Sequence, residues 1–93
     1  MAPLSNNLKV ACEIYKANVS GEPIWFSKLV EIFNGVISRA WVSHSIDTLV
    51  DWGIIVGYYD SIGKGRAGYV YEISESAHDT VKKIYETQCL EVK

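Results

Sequence analysis

The chain has 93 residues, a formal net charge of −2 and 48% hydrophobic residues. That size supports one domain around a single modest core, and the ordinary apolar content without a low-complexity tract excludes a disordered chain. No apolar run approaches ~20 residues, which excludes a helical membrane span; the acidic balance argues against nonspecific nucleic-acid binding but leaves a local basic patch open.

The first ten residues, MAPLSNNLKV, lack the charged start and apolar stretch of a signal peptide, so a cytoplasmic location is the default expectation. Leu4, Leu8, Ala11 and Tyr15 recur at helical spacing, with Cys12 and Ile14 widening the stripe, and predict a helix from Leu4 to about Asn18. Ser20–Pro23 breaks it. Ile24 and Trp25 suit a short extended piece before a second helix, Phe26 to Phe33, whose inner face is Phe26, Leu29, Val30 and Phe33, with Lys28 and Glu31 pointing outward. Asn34-Gly35 signals a turn. Ser38 then caps a third helix that runs to about Trp52, with Val42, Ile46, Leu49 and Val50 inward and Gly53 as its stop.

Two runs rich in β-branched and aromatic residues follow, IIVGYY at 54–59 and YVYEI at 69–73. The nine residues between them, Asp60 to Gly68, predict a hairpin with a long, flexible tip. Ser74 is placed to cap a last helix, Glu75 to Leu90, whose narrow stripe of Ala77, Val81, Ile84, Tyr85 and Gln88/Cys89 suits pairing with another helix. The expected fold class is α+β and mainly helical: three helices, a hairpin and a C-terminal helix in a single domain, residues 1–93. The tight turn between the second and third helices makes them a helix-turn-helix, and the hairpin is its wing.

The stretch SRAWVSHSIDTLVDWGII, residues 38–55, resembles the recognition helix of winged helix-turn-helix transcription regulators of the MarR, PadR and ArsR type. The shared places are Val42-Ser43, His44, Ile46, Leu49 and Gly53-Ile54-Ile55. YVYEISESAHDTVKKI resembles the return strand and capped helix of the same proteins, with Ser74 and Ala77 where they often carry Thr and Gly. The resemblance implies a homodimeric, sequence-specific regulator of transcription that binds duplex DNA, with helix 38–52 in the major groove and the wing, 60–68, on the minor groove or backbone.

At about 100° per residue, Trp41, His44 and Thr48 fall opposite Ile46, with Ala40, Asp47 and Asp51 beside them. The candidate DNA contacts are Ser38, Arg39, Trp41, Ser43, His44 and Thr48 on this helix, with Lys64 and Arg66 on the wing. Ser and His can hydrogen-bond base edges, an aromatic ring can meet a thymine methyl, and a cation on a flexible glycine-rich tip meets concentrated negative potential in a narrow groove. The plainer alternatives are a solvated helix face and an ordinary charged hairpin tip. Asp47 and Asp51 repel phosphate and weigh against DNA.

Tyr58, Tyr69 and Tyr71 invite base stacking on a single strand, but the expectation is that they mostly pack on the helices, core or half-buried. For dimerisation the candidates are Leu4, Leu8, Tyr15, Val81, Ile84, Tyr85 and Leu90; the alternative is that these close the core of one chain. Cys12 and Cys89 lack CxxC spacing, which argues against zinc; buried thiols and a disulfide between the first and last helices stay open. His44 with Asp47, or His78 with Asp79, supplies two ligands, which is not a metal site. GKGRAG lacks the following Ser/Thr and helix of a phosphate loop, and no catalytic motif is present. The expectation is therefore no enzyme, no metal and no cofactor. The rival function is a protein-interaction module that keeps this scaffold without binding DNA.

Overall fold

The computed structural model describes residues 5–63 and 65–89, and the side chains among them except at 61–63, 66, 67, 88 and 89. Four α-helices and one antiparallel hairpin follow in order: α1 (Asn6–Val19), α2 (Phe26–Ile32), α3 (Arg39–Asp51), β1 (Ile55–Gly63), β2 (Arg66–Ile73) and α4 (His78–Ile84). A 3-10 turn, Glu75–Ala77, precedes α4, and a π-helical turn, Tyr85–Cys89, continues it. This is the architecture expected from the sequence. Among the described residues, no helix is long and apolar enough to cross a membrane.

Helix α1 starts at Ser5, whose hydroxyl accepts from the Leu8 N–H at 3.3 Å. Its apolar face, Val10, Ala11, Ile14 and Tyr15, is buried and packs against α3, β2 and α4. Leu29 from α2, Val42, Ile46 and Leu49 from α3, Ile55 from β1, Ile73 from β2 and Val81 from α4 complete one core. Burying each such side chain contributes about 1.5–3 kcal/mol, so the three-helix arrangement is held mainly by apolar packing. Val50, expected inward, is 46% exposed. It lies at one edge of the stripe, while the opposite edge is taken by Ser45, which is fully buried.

The hairpin departs from expectation in length. Strand β1 runs to Gly63 and β2 starts at Arg66, so the segment expected to be a nine-residue loop is largely paired backbone. The register sets Ile55 opposite Ile73, Gly57 opposite Tyr71, Tyr59 opposite Tyr69 and Asp60 opposite Gly68, with an irregularity between Ser61 and Gly63. Backbone ladder bonds need no particular side chain, so glycine-rich sequence can extend a hairpin already in register. Gly65, at φ +75°, takes the left-handed conformation that the turn requires. The extended piece expected at Ile24 and Trp25 is present: Trp25 bridges Val70, and the Tyr71 N–H donates to the Ile24 carbonyl at 3.0 Å.

Two further contacts fix the base of the wing. The Asn18 side chain on α1 accepts from the Ile73 N–H at 2.9 Å and donates to the Tyr71 carbonyl at 3.5 Å. Ser74, expected as a helix cap, makes no capping bond. Its hydroxyl donates instead to the Gly53 carbonyl at 2.6 Å, tying the end of β2 to the end of α3.

Candidate nucleic-acid interface

Helix α3 begins where Ser38 stands in extended conformation and its hydroxyl accepts from the Trp41 N–H at 3.2 Å. The turn before it is closed by the N–H groups of Val36 and Ile37, which donate to the Phe33 carbonyl. Gly35 adopts φ +83°, a conformation that disfavours any side chain. With Val42, Ser45, Ile46 and Leu49 buried, the geometry of a helix leaves Arg39, Ala40, Trp41, Ser43, His44 and Asp47 exposed. Thr48 is only half-buried. The first two turns of α3 therefore present a polar and aromatic ridge to solvent.

Two side chains on that ridge are oriented by neighbours. The Arg39 guanidinium lies 5.0 Å from the centre of the Phe26 ring, a cation–π contact that holds the cation beside the start of α3. Trp41, 55% exposed, meets His44 edge to face at 5.1 Å. Lys28 on α2 lies 5.7 Å from the Trp25 ring centre and adds an exposed cation on the neighbouring helix. The sequence reading placed Lys28 outward without assigning it a role, and it missed Phe26 as the residue that positions Arg39. The Arg39–Phe26 contact has no sequence signal, because it depends on how α2 and α3 cross; the Lys28–Trp25 contact is local, between residues three apart at the start of α2.

On the wing, Lys64 and the Arg66 side chain lie outside the described residues, and among the described positions Asp60 is exposed. Two of the three tyrosines differ from expectation: Tyr58 and Tyr69 are exposed, whereas Tyr71 is half-buried against the core as expected; Tyr59 is 72% exposed. Tyr59 and Tyr69 meet edge to face at 5.5 Å. On the opposite face the Tyr58 hydroxyl donates to Glu72 at 2.5 Å, and this bond, assisted by burial and by the charges of Glu72 and Asp60, pushes its pKa up to about 12.

The second half of α3 and the inner face of the wing enclose an open groove of about 400 Å³, lined by Ile46, Asp47, Val50, Asp51, Gly57, Tyr69 and Tyr71. Burial first, and then the Asp47 charge, raises the Tyr71 pKa. Asp47 and Asp51 are both exposed, so the ridge changes sign along its length, from Arg39 at the amino end to two carboxylates at the carboxyl end.

Of the dimer candidates, Tyr15 and Val81 are buried within the single chain; Tyr15 stacks near Tyr85 at 5.2 Å and His78 at 5.4 Å. Leu8, Ile84 and Tyr85 remain half-buried, while Leu4 and Leu90 lie outside the described residues. Cys12 is buried on α1 and the Cys89 side chain is outside the description. No group of three or more His, Cys, Asp or Glu among the described residues could hold a metal ion.

Three helices, the last exposing a polar ridge, followed by a hairpin docked against the first and third, define a winged helix-turn-helix domain. Solved structures share this architecture. AF1382 from Archaeoglobus fulgidus superposes with a TM-score of 0.70 at 11% identity, over 94% of this chain and 88% of that one. The transcriptional repressor BigR from Xylella fastidiosa superposes with a TM-score of 0.69 at 17% identity, over 94% and 75%. The adhesin competence repressor AdcR from Streptococcus pyogenes gives a TM-score of 0.64 at 22% identity, over 96% of this chain but 61% of that one. No protein-family model and no curated protein sequence matches the chain.

Proposed function

We infer that the chain is a regulator of transcription that binds duplex DNA, with the start of α3 in the major groove and the wing tip, Lys64 and Arg66, on the adjacent minor groove or backbone. The observation that carries this reading is the exposed ridge of Arg39, Trp41, Ser43 and His44 on a helix whose opposite face is locked into the core. The names of two structural neighbours, both repressors, support it. Ser43 and His44 would hydrogen-bond base edges, Trp41 would meet a thymine methyl, and Arg39 would take a phosphate or a guanine edge. The role is one of binding rather than catalysis, and it places the protein in the cytoplasm with its DNA. Pairing through α1 and α4, around Leu8, Ile84 and Tyr85, would set two α3 helices against a two-fold symmetric operator.

Random duplex DNA titrated at increasing salt tests the proposal. Log affinity should fall linearly against log salt, with a slope of about −0.9 for each phosphate neutralised. Arg39→Ala, and Lys64→Ala with Arg66→Ala, should each flatten that slope. A slope unchanged by the wing substitutions removes the wing from the interface. Absence of binding at low salt contradicts the proposal and favours a protein-interaction module, the reading that exposed Asp47, Asp51, Tyr59 and Tyr69 support.

A further inference from the structure

Tyr59 and Tyr69 stand opposite each other in the hairpin, on the strand face that buries Ile55 and Ile73 at its base. They lie beyond the body of the domain and are 72% and 55% exposed. Their rings meet edge to face, with planes 81° apart. That arrangement leaves ring faces open that an offset stack would hide. Tyr71, half-buried, continues the row 6.5 Å from Tyr69. Gly57 makes room for it: a Cβ there would stand 3.1 Å from the Tyr69 ring and 3.2 Å from the Tyr71 ring. The Gly57 backbone is not left-handed, so these rings are what require a glycine. Tyr58, on the other face, is instead tied through its hydroxyl to Glu72. Exposed apolar surface grouped in this way marks an interaction site.

We propose that this row is a stacking platform for the unpaired bases of single-stranded DNA, with Tyr59 and Tyr69 touching them. Shape and charge choose this occupant. Every base has a flat π-face that an open tyrosine ring can take, whatever the sequence. Inside a duplex those faces are covered by neighbouring bases and only the edges are offered, so the platform suits a strand whose bases are unpaired. From Ser61 to Gly68 the charged residues are Lys64 and Arg66, both cations, so the wing beyond the rings draws a polyanion. Asp47 and Asp51, at the α3 side of the groove that Tyr69 and Tyr71 line, repel phosphate and keep the backbone toward the tip. Asp60 alternates onto the other face of β1, with Tyr58. The stacking is independent of α3; the choice of DNA over RNA rests on the reading of α3 given above.

The full chain is titrated at low salt into an end-labelled deoxyuridine strand of about 15 nucleotides, long enough for a stacking site of ordinary size, and binding is read by fluorescence anisotropy. An abasic strand of the same length supplies the phosphates without the bases. The abasic strand should bind about tenfold more weakly, and Tyr59→Ala and Tyr69→Ala should each weaken the deoxyuridine strand by about tenfold, a loss within the range for one stacked base. Tyr59→Phe and Tyr69→Phe should retain binding. All four variants should keep the parent's salt slope, because the rings neutralise no phosphate. Both tyrosines are exposed, so an amide spectrum unchanged outside the wing shows that the variants fold. Arg39→Ala should weaken a duplex and leave the single strand unaffected. Single-strand binding without duplex binding would contradict the reading of α3 and leave the platform standing. Equal binding of the abasic strand, indifference to both alanine variants, or tighter binding of a uridine RNA of the same length would overturn the proposal. So would a Tyr59-dependent dimer that binds no single strand, which assigns the face to a second copy of this chain.

Discussion

Ser45 sits fully buried on α3, and its hydroxyl has no hydrogen-bond partner among the described residues. An orphaned buried hydroxyl costs about 1–3 kcal/mol of desolvation. Ser45→Ala removes that cost and one small atom, so urea unfolding should show equal or higher stability; a loss above about 1 kcal/mol would mean that the hydroxyl is satisfied. Tyr58 offers a second test. Its hydroxyl pKa rises from 10.0 to about 12 because it donates to Glu72. Between those values the folded chain keeps a proton that the unfolded chain has lost. The stabilisation is thus fully present below pH ~10 and is lost as pH rises through about 12. Tyrosinate absorbance should show Tyr58 titrating late, beside the raised Tyr71, and Glu72→Gln should bring the Tyr58 midpoint back down; an unmoved midpoint would assign the shift elsewhere. Neither feature is legible in the sequence. A serine at that position looks like any other helix residue, and the Tyr58–Glu72 bond is a diagonal across a register that only the hairpin defines.

At the scale of elements, the helices were legible because each repeats apolar residues at 3.6-residue spacing and begins or ends at a recognisable residue: Ser38 caps α3, and Gly53 takes φ +75° just past its end. Val50 was misplaced because a stripe gives a direction and not a width; which edge residue is covered depends on what packs there. Tyr69 was misplaced for a related reason. Alternation correctly sets Tyr59, Tyr69 and Tyr71 on one face with Ile55 and Ile73. A two-stranded sheet longer than the body it packs on overhangs, however, so the isoleucines at its base are buried while Tyr59 is exposed. Asn18 joins α1 to that base through two bonds to β2 backbone. Asn18→Ala leaves the Ile73 N–H without its partner and should cost about 1–3 kcal/mol in chemical denaturation. Amide exchange should quicken first at Ile73, whose N–H loses its acceptor. Stability within ~0.5 kcal/mol of the parent would show that water replaces the side chain without loss.

For the whole molecule, net charge was a poor guide and its distribution a better one. The chain is acidic overall, but α3 carries its cation at the amino end and its carboxylates at the carboxyl end, as the sequence order requires once the helix is placed. What the sequence did not contain was the crossing of α2 and α3 that seats Arg39 over Phe26, or the groove that α3 and the wing form together. These arise from packing between elements distant in sequence. The ridge was readable as a set of residues; the orientation of its members was not. The central claim, that the start of α3 and the wing grip duplex DNA together, is tested most directly by amide chemical-shift mapping of the full chain on a duplex selected from a random pool. Changes should concentrate at residues 38–48 and 60–68. Changes confined to α1 and α4, or the absence of any selected duplex, would contradict it.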